Sequence, residues 1–279
     1  MIITHYQAAH LLLAKNKRLD SAQITLDLGI TKSEVLIKEG IFIFPDNRFL
    51  DETAIKKIIK KDTCCFLIEN NDIKKIEFFS QETNNYYKLF PTTSWPTMEI
   101  SGIRMHVVKD MTPKEDTIKK ISFVSPCTGT VLDTCTGLGY TAIIASKTAD
   151  LVYTFEIDEN CIALQELNPH SKELFESPKI KRHHGDIFEE IKKLPTSFFD
   201  RIIHDPPRLA LSSLLYSQEF YKELFRVAKK DALLYHYTGN PGAKNRNVDL
   251  KKNVAKRLSI AGFVNVKEVL NGLQGKKYE

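Results

Sequence analysis

The rhythm of apolar and polar positions changes near the middle of the chain. From residue 130 onward, short apolar runs alternate with stretches of helical period. TVLDT (130–134), LVYTFE (151–156), KIKRH (179–183), FDRIIHD (199–205), DALLYHY (231–237) and FVNVKEVL (263–270) read as strands. Helical patterns fill the gaps at 140–149, 159–167, 186–193, 217–229 and 248–261. Such alternation predicts βαβ units and a mainly parallel sheet. Gly262 is placed to stop the last helix, and the closing GLQGKKYE is a candidate short antiparallel edge strand.

Residues 1–100 follow a different pattern, that of a small α+β domain ahead of a 101–279 α/β domain. Residues 5–15 predict an amphipathic helix, and ITLDLGITKSEVL (24–36) has the rhythm of helix, glycine turn and second helix. GIFIFPDNRFL (40–50) reads as a hairpin around Pro45-Asp46-Asn47. A helix over 51–61 and strands at 64–69 and 74–79 follow. Helix-turn-helix then hairpin resembles a winged helix, a module for substrate or nucleic-acid recognition. The stretch 81–96, with Pro91 and Pro96, reads as a linker or a substrate-facing loop.

Composition adds exclusions. A 279-residue chain with 42% hydrophobic residues can bury a sizeable core, and a mean hydropathy of -0.26 without a long apolar run argues against a membrane span. The first twenty residues place their cations after a short apolar patch, unlike a signal peptide. Cys64 and Cys65 are adjacent and the five cysteines show no C-x-x-C or Cys/His zinc spacing. These features predict a reduced, cytoplasmic protein without a metal site. The net charge of +5 is not a basic tail, since Lys+Arg against Asp+Glu is 15 to 14 up to residue 110 and 25 to 21 after it. Basic clusters at 179–184 and at Lys244, Arg246, Lys251, Lys252, Lys256 and Arg257 read as solvated faces, or as a surface for an anionic partner.

The chemistry begins at VLDTCTGLGYT (131–141), where a strand ends in Asp133 and small residues follow through Cys135, Thr136, Gly137 and Gly139. Such a turn lets the backbone approach a ligand and lets the next helix pack on its strand. The third glycine of a dinucleotide-binding G-x-G-x-x-G is absent. At the end of the second strand Glu156, followed by Ile157 and Asp158, stands where an acid can accept from ribose hydroxyls. Asp186 opens a helix and serves at least as its cap, with Ile187 behind it. RIIHDPPR (201–208) ends a strand in Asp205-Pro206-Pro207, where prolines remove donors and leave acceptors. His204 reads equally as a base beside that site or as a strand histidine satisfied by its neighbours. Tyr216, His236 and Asn240 lie near it by topology, since ligands of open α/β sheets bind beyond the carboxyl ends of the strands.

VLDTCTGLGYTA, FEIDEN, LNPHS, HGDIFE, IIHDPPR and HYTGNPG occur in this order over residues 131–242. Together they resemble class I S-adenosylmethionine (SAM)-dependent methyltransferases. The resemblance is strongest to a family of predicted archaeal methyltransferases distantly similar to spermidine synthases. It implies a Rossmann-like sheet with an antiparallel last strand and SAM as cofactor. It also implies a cofactor site of Asp133, Cys135, Thr136, Gly137, Gly139, Glu156, Ile157, Asp158, Asp186 and Ile187, with GIRMHVVKDMTPKEDT (102–117) closing over the methionine moiety. Asp205-Pro206-Pro207 resembles the motif of methyltransferases acting on nitrogen, in which the acid and a proline carbonyl accept from the target N–H. Arg208 replaces the aromatic that would stack on a nucleobase, so the catalytic set is Asp205, Pro206, His204 and Arg208, with Tyr216, His236 and Asn240 toward the substrate. The expected activity is methyl transfer to nitrogen on a small amine, a protein side chain or RNA. Two alternatives stay open. One is an aminopropyltransferase using decarboxylated SAM, for which a carboxylate is expected where His204 or Arg208 stands. The other is a non-catalytic SAM-fold or RNA-binding subunit.

Overall fold

The computed structural model describes residues 1–239 and 249–278. Two compact units emerge, Met1–Lys114 with Ala163–Lys172, and Glu115–Ile162 with Glu173–Glu279. Among the described residues no helix is long and apolar enough to cross a membrane.

The first unit contains β1 (Ile2–Ile3), α1 (His5–Asn16), β2 (Ser21–Ile24), β3 (Ser33–Lys38), β4 (Ile41–Ile43), β5 (Phe49–Asp51) and α2 (Glu52–Ile59). It continues with β6 (Phe66–Glu69), β7 (Asp72–Lys75), β8 (Glu77–Ser80), β9 (Asn85–Phe90), β10 (Thr97–Ile100) and β11 (Ile103–Arg104). Thr4 and Gln7 form a capping box at the start of α1. Three small antiparallel sheets result, ordered β1-β6-β7, β2-β3-β4-β5 and β11-β10-β9-β8. The helix-turn-helix expected over 24–36 is therefore corrected to a strand pair, and the winged-helix order goes with it. Val35 and Ile37 are buried while Glu34, Leu36 and Lys38 are exposed, a period of two. The Asp27 carboxylate accepts from the backbone N–H groups of Ile30 and Thr31 at 3.0 Å and fixes the connection between the strands. Nor is 81–96 a linker, because β9 lies within it and buries Tyr87 and Leu89.

After β11 the chain continues through α3 (Pro113–Ser122), β12 (Thr130–Asp133), α4 (Tyr140–Ser146), β13 (Leu151–Glu156), α5 (Glu159–Leu167), α6 (Lys172–Glu176) and β14 (Ile180–His184), with residues 163–172 counted in the first unit. Then come α7 (Ile187–Glu190), β15 (Phe199–His204), α8 (Gln218–Val227), β16 (Ala228–Tyr237), α9 (Leu250–Ala261), β17 (Val264–Val269) and β18 (Gly272–Lys276). Seven strands form one sheet in the order β14-β13-β12-β15-β16-β18-β17, parallel through β16 and antiparallel in the last two. Neighbouring residues of the central strands enter opposite core clusters. Leu132, Ile202 and Leu234 belong to one and Val131, Ile203 and Tyr235 to the other, so both faces of the sheet are covered.

The C-terminal strand departs from the expectation of an edge. β18 is inserted between β16 and β17, which leaves β17 outermost. Its composition explains the placement. A side chain at Gly272 would run into the His236 carbonyl, and Leu273 is buried, whereas β17 presents Val264, Asn265, Lys267 and Glu268 to solvent.

β12 and β15 are parallel neighbours, with Asp133 paired to Ile203. The turn after Asp133 and the one after His204 therefore leave the same edge of the sheet side by side. Gly137 and Gly139 both have positive φ, at 52° and 80°, but differ in surroundings. A Cβ on Gly139 would collide with Leu174, while one on Gly137 would meet nothing within 4 Å. Gly139→Ala is expected to cost about 2–4 kcal/mol, combining overpacking with backbone strain, and Gly137→Ala only about 1 kcal/mol of strain. Denaturant unfolding of both variants measures this, and equal losses would contradict the difference in packing.

Candidate active site

The glycine turn is held from beneath by a buried acid. Asp133 has no exposed surface, and its oxygens accept from the hydroxyls of Thr141 at 2.9 Å and Thr154 at 2.6 Å. Burial pushes its carboxyl up to about 7 against these donors. Thr136 joins the same cluster through its hydroxyl, 2.7 Å from that of Thr154. Asp133 and Thr136 thus brace the loop on α4 and β13, with Asp133 fully buried beneath it. Cys135 is half-buried, with its thiol pushed up by burial.

Around the loop the acids fall into two kinds. Glu156 ends β13 and accepts from the backbone N–H of Gly137 at 2.9 Å and of Asp158 at 3.0 Å. Burial raises its carboxyl to about 7, with those two N–H groups opposing. Asp158 accepts from the backbone and side chain of Asn160, and Asp186 from the backbone N–H of Phe188 at 2.9 Å, as helix caps do. Ile157 is 62% exposed beside them, whereas Ile187 is buried in the core.

At the end of β15 Asp205 is partly exposed and meets an ammonium that the sequence did not announce. Lys120 of α3 donates to Asp205 Oδ2 at 2.8 Å, and its Nζ lies 2.9 Å from Asp116 Oδ2. The side chains of Asp116, Lys120 and Asp205 are 0%, 3% and 19% exposed. Burial works against the charged lysine, yet Asp205 and Asp116 outweigh it and raise its pKa. The Nζ also stands 4.5 Å from the centre of the Tyr237 ring. Asp116 and Lys120 are four residues apart on a helix, a spacing that reads as a surface pair in sequence. Only the fold buries them.

Both candidate histidines are buried with their ring nitrogens hydrogen-bonded. His204 has no exposed surface; its Nδ1 lies 2.7 Å from the Thr134 hydroxyl and its Nε2 2.9 Å from the Leu215 carbonyl. The carbonyl can only accept, so Nε2 carries the hydrogen and Nδ1 accepts from Thr134. Burial lowers the pKa of the ring to about 3, so it is held neutral with both nitrogens engaged. His236 is equally enclosed, between the Tyr221 hydroxyl at 2.8 Å and the Tyr237 carbonyl at 2.8 Å, and burial lowers its pKa as well. The two rings meet at 4.3 Å between centroids. Tyr216, expected toward the substrate, is buried and donates to the Pro207 carbonyl at 3.0 Å, bracing the Asp-Pro-Pro turn from behind. Pro206 is buried in that turn and Arg208 is exposed just beyond it. Asn240 lies outside the described residues.

No family model matches the chain. An uncharacterised protein of Methanocaldococcus jannaschii, MJ1233, is 45% identical over 262 residues, spanning 91% of this chain and 88% of that one. The chain belongs to the family of this archaeal protein. A polyamine aminopropyltransferase of Prochlorococcus marinus is 31% identical over 112 residues, 38% of this chain and 39% of that one. Among solved structures, a spermidine synthase in complex with the transition-state analogue AdoDATO has a TM-score of 0.58 at 18% identity, covering 74% of this chain and 76% of its own. The spermidine synthase of Thermotoga maritima gives 0.55 at 18%, covering 74% and 75%. The family therefore shares the Rossmann-like fold of the spermidine synthases.

The neutral histidines make a testable contribution to stability. A base whose pKa is lowered on folding adds stability that is complete above its unfolded pKa and is lost as pH falls toward the folded one. For His204 that window runs from 6.5 down to about 3. Asp133 and Glu156, with pKa values raised to about 7, act in the opposite sense from about pH 4 to 7, so the comparison is made against a variant. The stability difference between wild type and His204→Gln should shrink by up to about 1.4 kcal/mol per pH unit below pH 6.5. Urea unfolding at pH 7.5, 6 and 5 checks this, and a difference independent of pH would argue against a neutral, buried imidazole.

Proposed function

We propose that the chain is a SAM-dependent methyltransferase acting on a nitrogen acceptor held by Asp205. The observation that carries this is one of placement. A partly exposed carboxylate, ion-paired from behind, leaves the same sheet edge as a glycine loop with open space at Gly137. Ligands of open α/β sheets lie at such an edge.

The residues present fit an adenosyl cofactor. Open space at Gly137 permits close approach to the loop backbone. Glu156 would hold the ribose hydroxyls, the exposed face of Ile157 would cover one side of the adenine, and Asp186 would accept from its amino group. When bound, SAM supplies a methyl activated by a sulfonium, so no metal is called for. Asp205 Oδ1, the oxygen that Lys120 does not take, accepts a hydrogen bond from the acceptor N–H. The carbonyl of Pro206 offers a second acceptor, and the two prolines contribute no N–H that would compete. Between them the nitrogen is turned so that its lone pair faces the cofactor side of the site, and much of the rate gain comes from this orientation. With His204 enclosed, the proton released by the nitrogen passes to Asp205 or to water.

An aminopropyl transfer from decarboxylated SAM is the second reading, favoured by the fold shared with spermidine synthases and by the 112-residue match to an aminopropyltransferase. The engagement of Asp205 by Lys120 weighs against it, since such an enzyme needs free acids for a cationic amine.

Calorimetric titration with SAM and with decarboxylated SAM separates the two readings. Labelled-methyl transfer into a cell extract divided into RNA, protein and small molecules identifies the acceptor. Asp205→Ala should reduce transfer by about 100-fold or more while SAM affinity stays within a few-fold, and Glu156→Ala should weaken SAM binding by about 10- to 100-fold. Equal loss of SAM affinity in both variants would contradict this division. Because Glu156 accepts from the ribose as a carboxylate and its pKa is raised to about 7, SAM affinity should fall as pH drops from 8 to 6. Glu156→Gln should flatten that profile, and an unchanged profile would remove Glu156 from the ribose.

A further inference from the structure

The acid assigned to the acceptor nitrogen already holds a cation of the protein's own. Lys120 Nζ stands 2.8 Å from Asp205 Oδ2 and 2.9 Å from Asp116 Oδ2, with 3% of its side chain exposed. The Tyr237 ring lies 4.5 Å away, and Arg208 follows Asp205 at the outer end of the same turn. A lysine on the surface would swing aside when a substrate cation arrived. This one is held, because leaving would strand the buried Asp116 carboxylate and strip the partly exposed Asp205 of its counter-ion. Among the described residues the Asp116 carboxylate has no polar partner other than Lys120.

Like charges a few ångströms apart in a partly desolvated site repel strongly, and selectivity often rests on such a repulsive element as much as on attraction. Lys120 offsets the Asp205 charge from behind, so a protonated amine gains from that carboxylate little of the attraction a free acid would offer and meets the Lys120 ammonium just beyond it. An uncharged N–H meets no such opposition and still gains the hydrogen bond to Oδ1. We propose that Lys120 makes the acceptor site selective for a nitrogen that is uncharged at neutral pH, such as an amide or an aromatic amine, and closes it to a protonated polyamine. This deepens the methyl-transfer reading and rests on it. Lys120 acts through Asp205, as a positioning and charge-setting residue.

The test is binding of spermidine, measured calorimetrically at pH 7.5 and low salt in the presence of S-adenosylhomocysteine, to the wild type and to Lys120→Met, Lys120→Arg and Asp205→Asn. The titration with S-adenosylhomocysteine comes first. No binding there defeats the methyltransferase reading before any polyamine is added, and the proposal falls with it. Given that binding, spermidine should not bind measurably to the wild type or to Lys120→Arg. Lys120→Met, which leaves Asp205 and Asp116 uncompensated, should gain spermidine binding by at least about tenfold. That gain should vanish when Asp205→Asn is added. A gain of affinity cannot come from simple damage to the fold, and retention of exclusion by the arginine variant ties the effect to charge. Spermidine binding to the wild type that is lost in Asp205→Asn overturns the proposal, as does a folded Lys120→Met that gains nothing. Should Lys120→Met fail to fold by circular dichroism, the wild type, Lys120→Arg and Asp205→Asn decide it. Absence of spermidine binding in the first two supports the proposal, and binding dependent on Asp205 overturns it.

Discussion

An ammonium withdrawn from water costs several kcal/mol unless opposite charge lies against it. Lys120 meets that requirement with one carboxylate from its own helix and one from the end of β15. The ion pair therefore does two jobs at once. It docks α3 onto the sheet edge, and it fixes the orientation of Asp205, the one acid of the Asp-Pro-Pro turn. Removing either acid leaves the lysine undercompensated, and removing the lysine leaves one buried acid and one partly exposed acid without a counter-ion. The local fold and the charge of the site thus depend on the same three side chains.

A second polar layer lies under this edge. Thr134 reaches His204, His204 reaches the Leu215 carbonyl, Tyr216 reaches the Pro207 carbonyl, and Tyr221 reaches His236. Each donor finds an acceptor, as a buried network must if it is to add rigidity and not cost. The hydrogen bond from Thr134 to His204 links the glycine loop to the strand that ends in Asp205. This edge of the sheet is thus held by neutral hydrogen bonds beneath and by one ion pair above.

Much of the second unit was legible in the sequence because apolar runs in a buried parallel sheet are hard to mistake. β13 and α5 occupy the expected residues, and Asp186 caps its helix as expected. The failures have physical causes. Ser33–Lys38 is too short for period two to be told from period 3.6 without seeing Val35 and Ile37 buried. The closing GLQGKKYE was expected as an edge strand, yet β18 lies inside the sheet, where Gly272 lets it lie against the His236 carbonyl. The acids and glycines of the candidate site could be found because motifs carry them. Lys120 and Asp116 could not, since an acid and a lysine four apart on a helix look alike whether solvated or buried. His204 reads equally as a base or as a satisfied strand histidine. It is buried with both ring nitrogens bonded, as is His236, and Tyr216 is buried with its hydroxyl bonded. Residue type suggests chemistry in a sequence, whereas burial and the hydrogen bonds of a ring nitrogen or hydroxyl are seen only in the fold.

A crystal structure of the protein with S-adenosylhomocysteine tests the central claim most directly. The account predicts the adenosyl group against the loop at Gly137, its ribose hydroxyls on Glu156, and the Lys120–Asp205 pair intact beside it. A ligand bound away from that loop, or a ribose that does not touch Glu156, would contradict it.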